Sequence, residues 1–154
     1  MPPFRCSVQG RSDMKSIEQH FREWVAPFQV HIGMVFGDEG IRFDEAERGR
    51  ISFSMELQPM HLNSVGVAHG GIVLTLLDVV LSGAARSYQS DFTRAATLDL
   101  STSFIRPGRG RLTARARVLR GGRSIVFCEG EIVDADGELV AKAIGSFKYD
   151  SPKK

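Results

Sequence analysis

The sequence predicts an α+β domain in which a long buried helix packs against an antiparallel sheet. Two strand-like segments come before one long apolar segment, and four more strand-like segments follow it. Strands that are grouped in runs, rather than alternating with helices, favour antiparallel pairing. With 154 residues, of which 42% are apolar, the chain suits one domain with a single core. We predict a flexible extension over residues 1–13, one domain over 14–150 and a short tail over 151–154.

The first predicted elements are a helix and two strands. A helix is predicted between Ser16 and Pro27 because apolar residues recur there at helical spacing. The spacing runs through Ile17, Phe21, Trp24 and Val25 to Phe28, just after Pro27. A strand over residues 30–36 reaches a GDEG turn and continues through 41–43. Residues 50–57 alternate apolar and polar side chains, which is typical of a second strand.

A helix over residues 70–88 is the central predicted element. It is apolar nearly all round, which predicts burial in the core. Its few polar side chains fall on one narrow stripe, formed by Thr75, Asp78, Ser82 and Arg86. Four predicted strands follow, separated by RPGRG, RGG and DADG turns. They cover residues 95–105, 112–119, 124–133 and 139–149.

The composition argues against several classes of protein. No apolar segment has the roughly 20 residues that span a bilayer, and residues 1–13 lack the apolar centre of a secretory signal. The two cysteines, Cys6 and Cys128, form no CxxC motif, and no two histidines are four residues apart. The P-loop, dinucleotide-binding, HExxH and GxSxG motifs are absent from the sequence. We therefore expect a soluble cytoplasmic protein without a metal site or a membrane partner.

The charges are unevenly placed, although the net charge is only +2. Seven arginines and no acidic residue lie between Ser101 and Cys128. They are Arg106, Arg109, Arg111, Arg115, Arg117, Arg120 and Arg123. Such an arginine strip suits the phosphates of a nucleic acid or of a nucleotide-bearing ligand. Alternatively, it is a solvated strand face whose charge is balanced by acidic residues elsewhere in the fold.

The start of the long helix carries a candidate oxyanion site. His69 is followed by Gly70 and Gly71, and each glycine weakens a helix by about 1 kcal/mol relative to alanine. The missing side chains open access to the unpaired N–H groups of the first turn, where the helix dipole is positive. An oxyanion is a suitable ligand for such donors. The alternative is structural, because small residues also let a helix pass close to a sheet.

Asp78 is a carboxylate on this otherwise apolar helix. Its burial is costly unless it is hydrogen-bonded, paired or protonated, so it is a candidate general base or nucleophile. Alternatively, it caps a loop or pairs with an arginine. Gly70 and Asp78 are eight residues apart, which is about 12 Å along a helix axis. One small reacting group cannot contact both on one helix, so their cooperation requires two copies of the chain across a two-fold axis.

Several motifs after residue 59 form a recognisable set. The first is Asn63-xx-Gly66-xx-His69-Gly70-Gly71, followed by Asp78. The others are Thr97-Leu-Asp-Leu, Phe104-Ile-Arg-Pro-Gly, Val118-Leu-Arg-Gly-Gly-Arg-Ser and Asp136-Gly-Glu-Leu-Val-Ala. Together they resemble the hotdog-fold acyl-CoA thioesterases of the PaaI-like family. The resemblance covers roughly residues 59–147 and implies a hotdog fold, in which the sheet wraps around the long helix.

The resemblance also implies roles for individual residues. The backbone N–H of Gly70 would bind the thioester carbonyl, and Asp78 of the opposite subunit would be the general base or nucleophile. Thr97 would help to place the attacking water. Asn63 would hold the thioester or the water, and His69 would orient the loop. Basic residues would bind the nucleotide of coenzyme A near the surface, and the candidates for contact with the coenzyme are Arg106, Arg120, Arg123 and Gly71.

The predicted function is hydrolysis of an acyl-CoA thioester by a homodimer, which would pair further into a dimer of dimers. Coenzyme A is part of the substrate, so no separate cofactor and no nucleic acid partner are expected. One alternative is hydration or dehydration of acyl thioesters, which would require a catalytic histidine paired with an acid. A second is non-catalytic binding of acyl-CoA. A third is RNA binding, which requires base-stacking aromatics, and only Phe104 and Phe127 lie near the arginine strip.

Overall fold

The computed structural model describes residues 17, 19–24, 26, 42–89 and 93–150. Within these residues, a helical segment, α1 (residues 19–24), and a long helix, α2 (Gly70–Tyr88), accompany six strands. The strands are β1 (Arg42–Glu47), β2 (Arg50–Glu56), β3 (Ala95–Phe104), β4 (Arg111–Gly121), β5 (Ile125–Val133) and β6 (Leu139–Tyr149). A 3₁₀ turn, Pro59–His61, lies between β2 and α2.

The strands form one antiparallel sheet in the order β1-β2-β4-β5-β6-β3. Buried and more exposed side chains alternate along β4, β5 and β6, as β6 shows. Ala141, Ala143 and Phe147 are buried, whereas Lys142 and Lys148 are exposed. This period of two gives the sheet one apolar face, and α2 lies across it in contact with β2 through β6. The predicted α+β architecture with a buried central helix is confirmed.

The two halves of α2 differ in burial. From Val79 to Ser87 every residue is buried, so this half fills the core as the apolar sequence predicts. In the first half, Gly70, Gly71 and Leu74 are exposed, and Asp78 is only half-buried. Contrary to the expectation from the sequence, the 19-residue helix is long and apolar enough to cross a membrane, but most of it is buried inside the fold, as in the core helix of a soluble domain. Its first half therefore presents an open face that the described residues leave uncovered.

Helix α1 closes the core over the second half of α2. Phe21 is completely buried, and its ring centroid lies 5.9 Å from that of Phe53 in β2. A Cβ on Gly83 of α2 would lie 2.5 Å from the Phe21 ring, so glycine makes room for this contact. Trp24 packs against Arg86, whose guanidinium carbon lies 4.4 Å from the ring centroid. Burial lowers the pKa of Arg86 from its ordinary value.

The predicted elements agree with the structure wherever it describes them. α2 begins and ends as predicted, and the later strands differ from their predicted bounds by at most two residues. The largest departure is at β1, which runs to Glu47, four residues past the predicted continuation through 41–43. In β4, a bulge between Val118 and Arg120 carries the ladder on to Gly121, where the sequence predicted a turn. The strand predicted over 30–36, the extension over 1–13 and the tail over 151–154 lie outside the described residues. The domain bounds therefore stay a prediction.

We expect the substitution Gly121→Ala to destabilise the fold. A Cβ at this position would lie 2.0 Å from the side chain of Tyr88 at the end of α2, so the ring or the hairpin must move. Overpacking of this kind lowers the free energy of unfolding by about 1–3 kcal/mol, which urea denaturation would measure. Gly70→Ala is a matched control, because its Cβ would meet nothing closer than 3.7 Å. A Gly121→Ala variant as stable as the wild type would contradict the packing described here.

Candidate active site

Asp78 and Thr97 meet where α2 crosses the start of β3. The Thr97 hydroxyl donates a 2.8 Å hydrogen bond to Oδ1 of Asp78. Thr97 directly precedes a bulge in β3, and bulges commonly re-aim the side chains next to them. Within the described part of the chain, no arginine forms an ion pair with Asp78. The half-buried carboxylate is thus held by a hydroxyl rather than by a charge.

The N-terminus of α2 offers one backbone N–H to a ligand. His69 is the N-cap, and its Nδ1 accepts a 2.9 Å hydrogen bond from the Gly71 N–H. The N–H groups of Ile72 and Val73 donate to the His69 carbonyl. The Gly70 N–H has no acceptor among the described residues. Of the two glycines singled out in the sequence, Gly70 keeps the N–H that could bind an oxyanion, whereas that of Gly71 is already engaged.

An open cleft of about 300 Å³ lies beside Gly70. Its mostly apolar lining includes Val67, Val73, Phe104, Ile105, Pro107 and Val140, together with Arg106. Phe104 is 58% exposed, and its ring lies 3.7 Å from the position that a Cβ on Gly70 would take. An apolar cleft that ends at a free N–H can accommodate an apolar chain and present a carbonyl oxygen to the donor.

Asn63 orders the loop that precedes α2. Its Oδ1 accepts hydrogen bonds from the N–H groups of Val65 and Val67, at 3.0 and 3.3 Å. The side-chain carbonyl is therefore engaged in the loop, and the amide nitrogen is the part of Asn63 that could reach a ligand. Arg109 fastens the same loop from outside, because its Nη1 donates to the Gly66 carbonyl at 3.2 Å.

His61 is a buried loop residue to which the sequence analysis gave no role. It is 1% exposed, its Nδ1 accepts the Gln58 N–H, and its carbonyl accepts the His69 N–H. It thereby links the 3₁₀ turn to the N-cap of α2. Its Nε2 is buried without a hydrogen-bond partner. No local pattern marks this role, since the contact with His69 exists only once the loop has folded back on itself.

The arginine strip divides into paired and unpaired residues. Three arginines pair with acidic side chains: Arg106 with Glu138, Arg111 with Glu56 and Arg117 with Glu129. Arg120 and Arg123 lie on the β4–β5 hairpin and have no acidic partner in the described ranges. Arg106 follows the far end of β3, beside the Gly70 cleft, whereas the hairpin lies at the opposite end of the sheet. Within one protomer, the three predicted nucleotide-binding arginines therefore do not form one site.

Other reactive groups do not enter the site. Cys128 is completely buried in β5, and burial raises the pKa of its thiol to about 12, so it is not a thiolate nucleophile at neutral pH. Cys6 lies outside the described residues. Across residues 42–89 and 93–150, no group of three or more His, Cys, Asp or Glu side chains could hold a metal ion. The chemistry at hand is that of a carboxylate, a hydroxyl and a helix N-terminal N–H.

An antiparallel sheet wrapped around a central helix defines a hotdog fold, and the carboxylate and free N–H lie on the open face of that helix. The chain belongs to the thioesterase superfamily, whose family model matches residues 65–141. The predicted family and the predicted hotdog fold are both confirmed.

Individual relatives agree with this assignment. This chain is 30% identical over 135 residues to a Saccharolobus solfataricus protein that is named as an esterase. The match covers 87% of this chain and 90% of that protein. The medium/long-chain acyl-CoA thioesterase YigI of Salmonella typhimurium is 26% identical over 124 residues, covering 70% of this chain and 80% of YigI. The solved structure of Escherichia coli PaaI, from the phenylacetic acid degradation operon, has a TM-score of 0.77 at 22% identity and covers 91% of this chain and 97% of PaaI. The similarity to PaaI is a similarity of fold.

Proposed function

We propose that the protein hydrolyses acyl-CoA thioesters at a site shared by two copies of the chain. The observation that carries the proposal is the Asp78–Thr97 hydrogen bond on the open face of α2. The Gly70 N–H, which has no acceptor among the described residues, lies at the start of the same helix. Membership of the thioesterase superfamily supports thioester hydrolysis in general. The name of YigI, which specifies medium- and long-chain acyl-CoA, supports coenzyme A as the thiol.

A second copy would complete the site. Gly70 and Asp78 are about 12 Å apart along one helix, which is too far for one carbonyl and its attacking group. In the described sheet, β3 pairs only with β6, so its other edge is free. Leu74 on the open face of α2 is 39% exposed, and Leu98 in β3 is exposed as well. Two copies related by a two-fold axis, with their α2 helices antiparallel, would cover these side chains and bring Gly70 of one copy to Asp78 of the other.

Each group of the shared site then has a definite role in hydrolysis. The thioester carbonyl oxygen accepts the Gly70 N–H, which stabilises the negative charge that develops on it during attack. Asp78 of the other copy either removes a proton from the attacking water or attacks the carbonyl carbon itself. Thr97 holds the carboxylate and helps to place the water. The C–S bond breaks, and the leaving thiolate takes up a proton to give coenzyme A. When water attacks, the free acid forms directly; when Asp78 attacks, water then hydrolyses the acyl–Asp78 anhydride to give the free acid and restore the carboxylate. Asn63 and His69 keep the Gly70 loop in position.

The hydration alternative has less support. It calls for a histidine paired with an acid, but in the described residues the contact of the His69 Nδ1 is with a backbone N–H. The dimer of dimers, the cytoplasmic location and the absence of a separate cofactor stay predictions.

Turnover of an acyl-CoA panel tests the proposed function. We expect at least one of a set of aryl, short-chain and long-chain acyl-CoAs to be cleaved with kcat/KM above about 10⁴ M⁻¹ s⁻¹, measured by release of the free thiol. Calorimetric binding of acyl-CoA without turnover would instead identify a non-catalytic binding protein. Addition of water to a 2-enoyl-CoA included in the panel, without release of free thiol, would identify the hydratase.

We expect Thr97→Val to lower kcat about tenfold with little change in KM, because it removes a hydrogen bond to a charged group that acts in the chemical step. Thr97→Ser keeps the hydroxyl and should retain most of the activity. Relative to the wild type, Thr97→Val loses only the hydroxyl and Thr97→Ser loses only the methyl group. Steady-state kinetics of the two variants therefore separates the effect of the hydroxyl from that of packing. Wild-type kcat in Thr97→Val together with a loss in Thr97→Ser would show that the methyl group, and not the hydrogen bond, matters.

A further inference from the structure

His61 is buried in a loop whose apolar side chains are exposed. Among residues 58–66 it is the only one that is buried, at 1% exposed. Met60 and Val65 in the same loop are 68% and 72% exposed. Burying an imidazole while these apolar groups stay in water forgoes hydrophobic stabilisation, because apolar side chains gain the most from leaving water. The loop therefore keeps a histidine inside for a reason other than packing.

The second ring nitrogen of His61 makes this burial more costly. Its Nδ1 accepts the Gln58 N–H at 2.9 Å, which in a neutral imidazole leaves the proton on Nε2. That nitrogen is buried and has no hydrogen-bond partner in the part of the chain that the structure describes. A buried donor without an acceptor lowers the stability of a fold, and departures of this kind are expected at functional sites.

The Nδ1 of His61 closes the 3₁₀ turn that precedes α2. Gln58 and His61 are joined twice, since the His61 N–H donates to the Gln58 carbonyl at 2.8 Å while the Gln58 N–H donates to Nδ1. The Leu62 N–H adds a 3.2 Å hydrogen bond to the Pro59 carbonyl. A turn of three residues has few hydrogen bonds of its own, so the contact at Nδ1 is a large part of what fixes the direction of the His61 carbonyl.

The His61 carbonyl in turn holds the peptide group that carries the Gly70 N–H. It accepts the His69 N–H at 2.9 Å. On its other side, the His69 carbonyl accepts the N–H groups of Ile72 and Val73. The His69 carbonyl and the Gly70 N–H belong to one planar peptide group and point in opposite directions. With His69 held at both its N–H and its carbonyl, the Gly70 N–H is directed away from the body of the helix, where a ligand can reach it.

We propose that His61 is a positioning residue for the thioester carbonyl. Through Nδ1 it fixes the 3₁₀ turn, and through its carbonyl the turn fixes the direction of the Gly70 N–H. This rests on the proposed function, in which that N–H stabilises the charge on the carbonyl oxygen. Oxyanion donors are effective because they are aimed before the charge develops, so a donor whose direction varies loses part of its effect.

Amide hydrogen exchange tests the link between His61 and His69 without catalysis. In the wild type we expect the His69 N–H to exchange slowly, because it is bonded to the His61 carbonyl. His61→Phe keeps a buried ring but removes the acceptor for Gln58, and it should speed this exchange about tenfold relative to amides of the sheet. His61→Asn places a side-chain oxygen near the position of Nδ1 and should restore slow exchange. Unchanged exchange in His61→Phe would overturn the proposal, whether or not the protein cleaves a thioester.

Steady-state kinetics tests whether the link serves the reaction. His61→Phe should lower kcat for acyl-CoA about tenfold and leave KM nearly unchanged, because the Gly70 N–H acts on charge that develops in the transition state. His61→Asn should regain most of the lost activity. Equal loss in both variants, with hydrolysis by the wild type intact, would show that the acceptor at Nδ1 has no part in positioning and would overturn the proposal alone.

Phe21→Leu is the matched control for a loss of stability. Phe21 is completely buried, so this change also lowers the free energy of unfolding. It packs beside Gly83, about 20 Å along α2 from Gly70, and its replacement should leave kcat unchanged. If Phe21→Leu lowers kcat as much as His61→Phe does, a general loss of stability explains both, and His61 has no positioning role. If the wild type cleaves no thioester, the proposed function fails, and the exchange measurement still decides whether His61 fixes the start of α2.

Discussion

Asp78→Asn lowers kcat for acyl-CoA hydrolysis by at least about a hundredfold while the protein stays folded; this is the largest single effect that we expect. Asparagine has the shape of aspartate, and its side-chain carbonyl can still accept the Thr97 hydrogen bond, so the contact that joins α2 to β3 survives. An amide, however, neither removes a proton from water nor attacks a thioester. Steady-state kinetics measures the loss of kcat, and urea denaturation tests whether the variant stays folded.

The control for this variant is a second Asp→Asn change away from the site. Asp136 lies in the exposed turn before β6, and Asp136→Asn removes the same charge without touching α2. It should retain wild-type kcat. If the folded Asp78→Asn protein were as active as the Asp136→Asn protein, Asp78 would have no part in the chemistry and its hydroxyl partner would be structural.

Mixed dimers of two inactive variants should regain about a quarter of wild-type activity. Gly70→Pro removes the N–H donor, and proline is tolerated in the first turn of a helix. In a homodimer of this variant, or of Asp78→Asn, both sites are damaged. When the two proteins are unfolded and refolded together, about half the dimers are mixed, and each mixed dimer has one site with both lesions and one intact site. The activity of the mixture, compared with that of each variant refolded alone, measures whether each site is built from both subunits.

Gly70→Ala is the control that separates the N–H from the glycine itself. Its Cβ would make only an ordinary contact with the Phe104 ring, and its N–H is kept, so it should remain active where Gly70→Pro is not. Each variant must first be shown to fold and to dimerise, by denaturation and by light scattering. Mixed dimers that form but stay inactive would show that Gly70 and Asp78 of different chains do not act on one substrate.

The elements that periodicity marks strongly were predictable. The apolar segment that became α2 was placed residue for residue, because nearly every position in its second half is buried and must be apolar. Strands β4, β5 and β6 were predictable because their buried and more exposed side chains alternate. Turn residues marked most strand ends. β4 goes past its predicted end because Gly121 still pairs with Val126 and packs against Tyr88, so the turn begins only at Gly122.

The site was only partly predictable, since its contacts join distant segments. The apolar surroundings of Asp78 mark it as a candidate for the chemistry, but its Thr97 partner came from the family resemblance alone. The ion pair of Arg106 with Glu138 depends on how β6 returns beside the end of β3, and no local pattern encodes that return. The same holds for His61, whose carbonyl reaches the N-cap of α2 through a folded loop.

The bulge in β3 bears on aggregation as well as on catalysis. A long, flat strand at the edge of a sheet is a template onto which further chains can add without limit, and natural sheets guard such edges with irregularities. The register shift between Thr97 and Asp99 interrupts the regular ladder of β3 near its start. The irregularity that turns Thr97 towards Asp78 therefore also shortens the stretch of edge that an unrelated strand could extend. Under the proposed function, the residues at this bulge would both build the site and limit the open-ended addition of strands to the β3 edge before a second copy covers it.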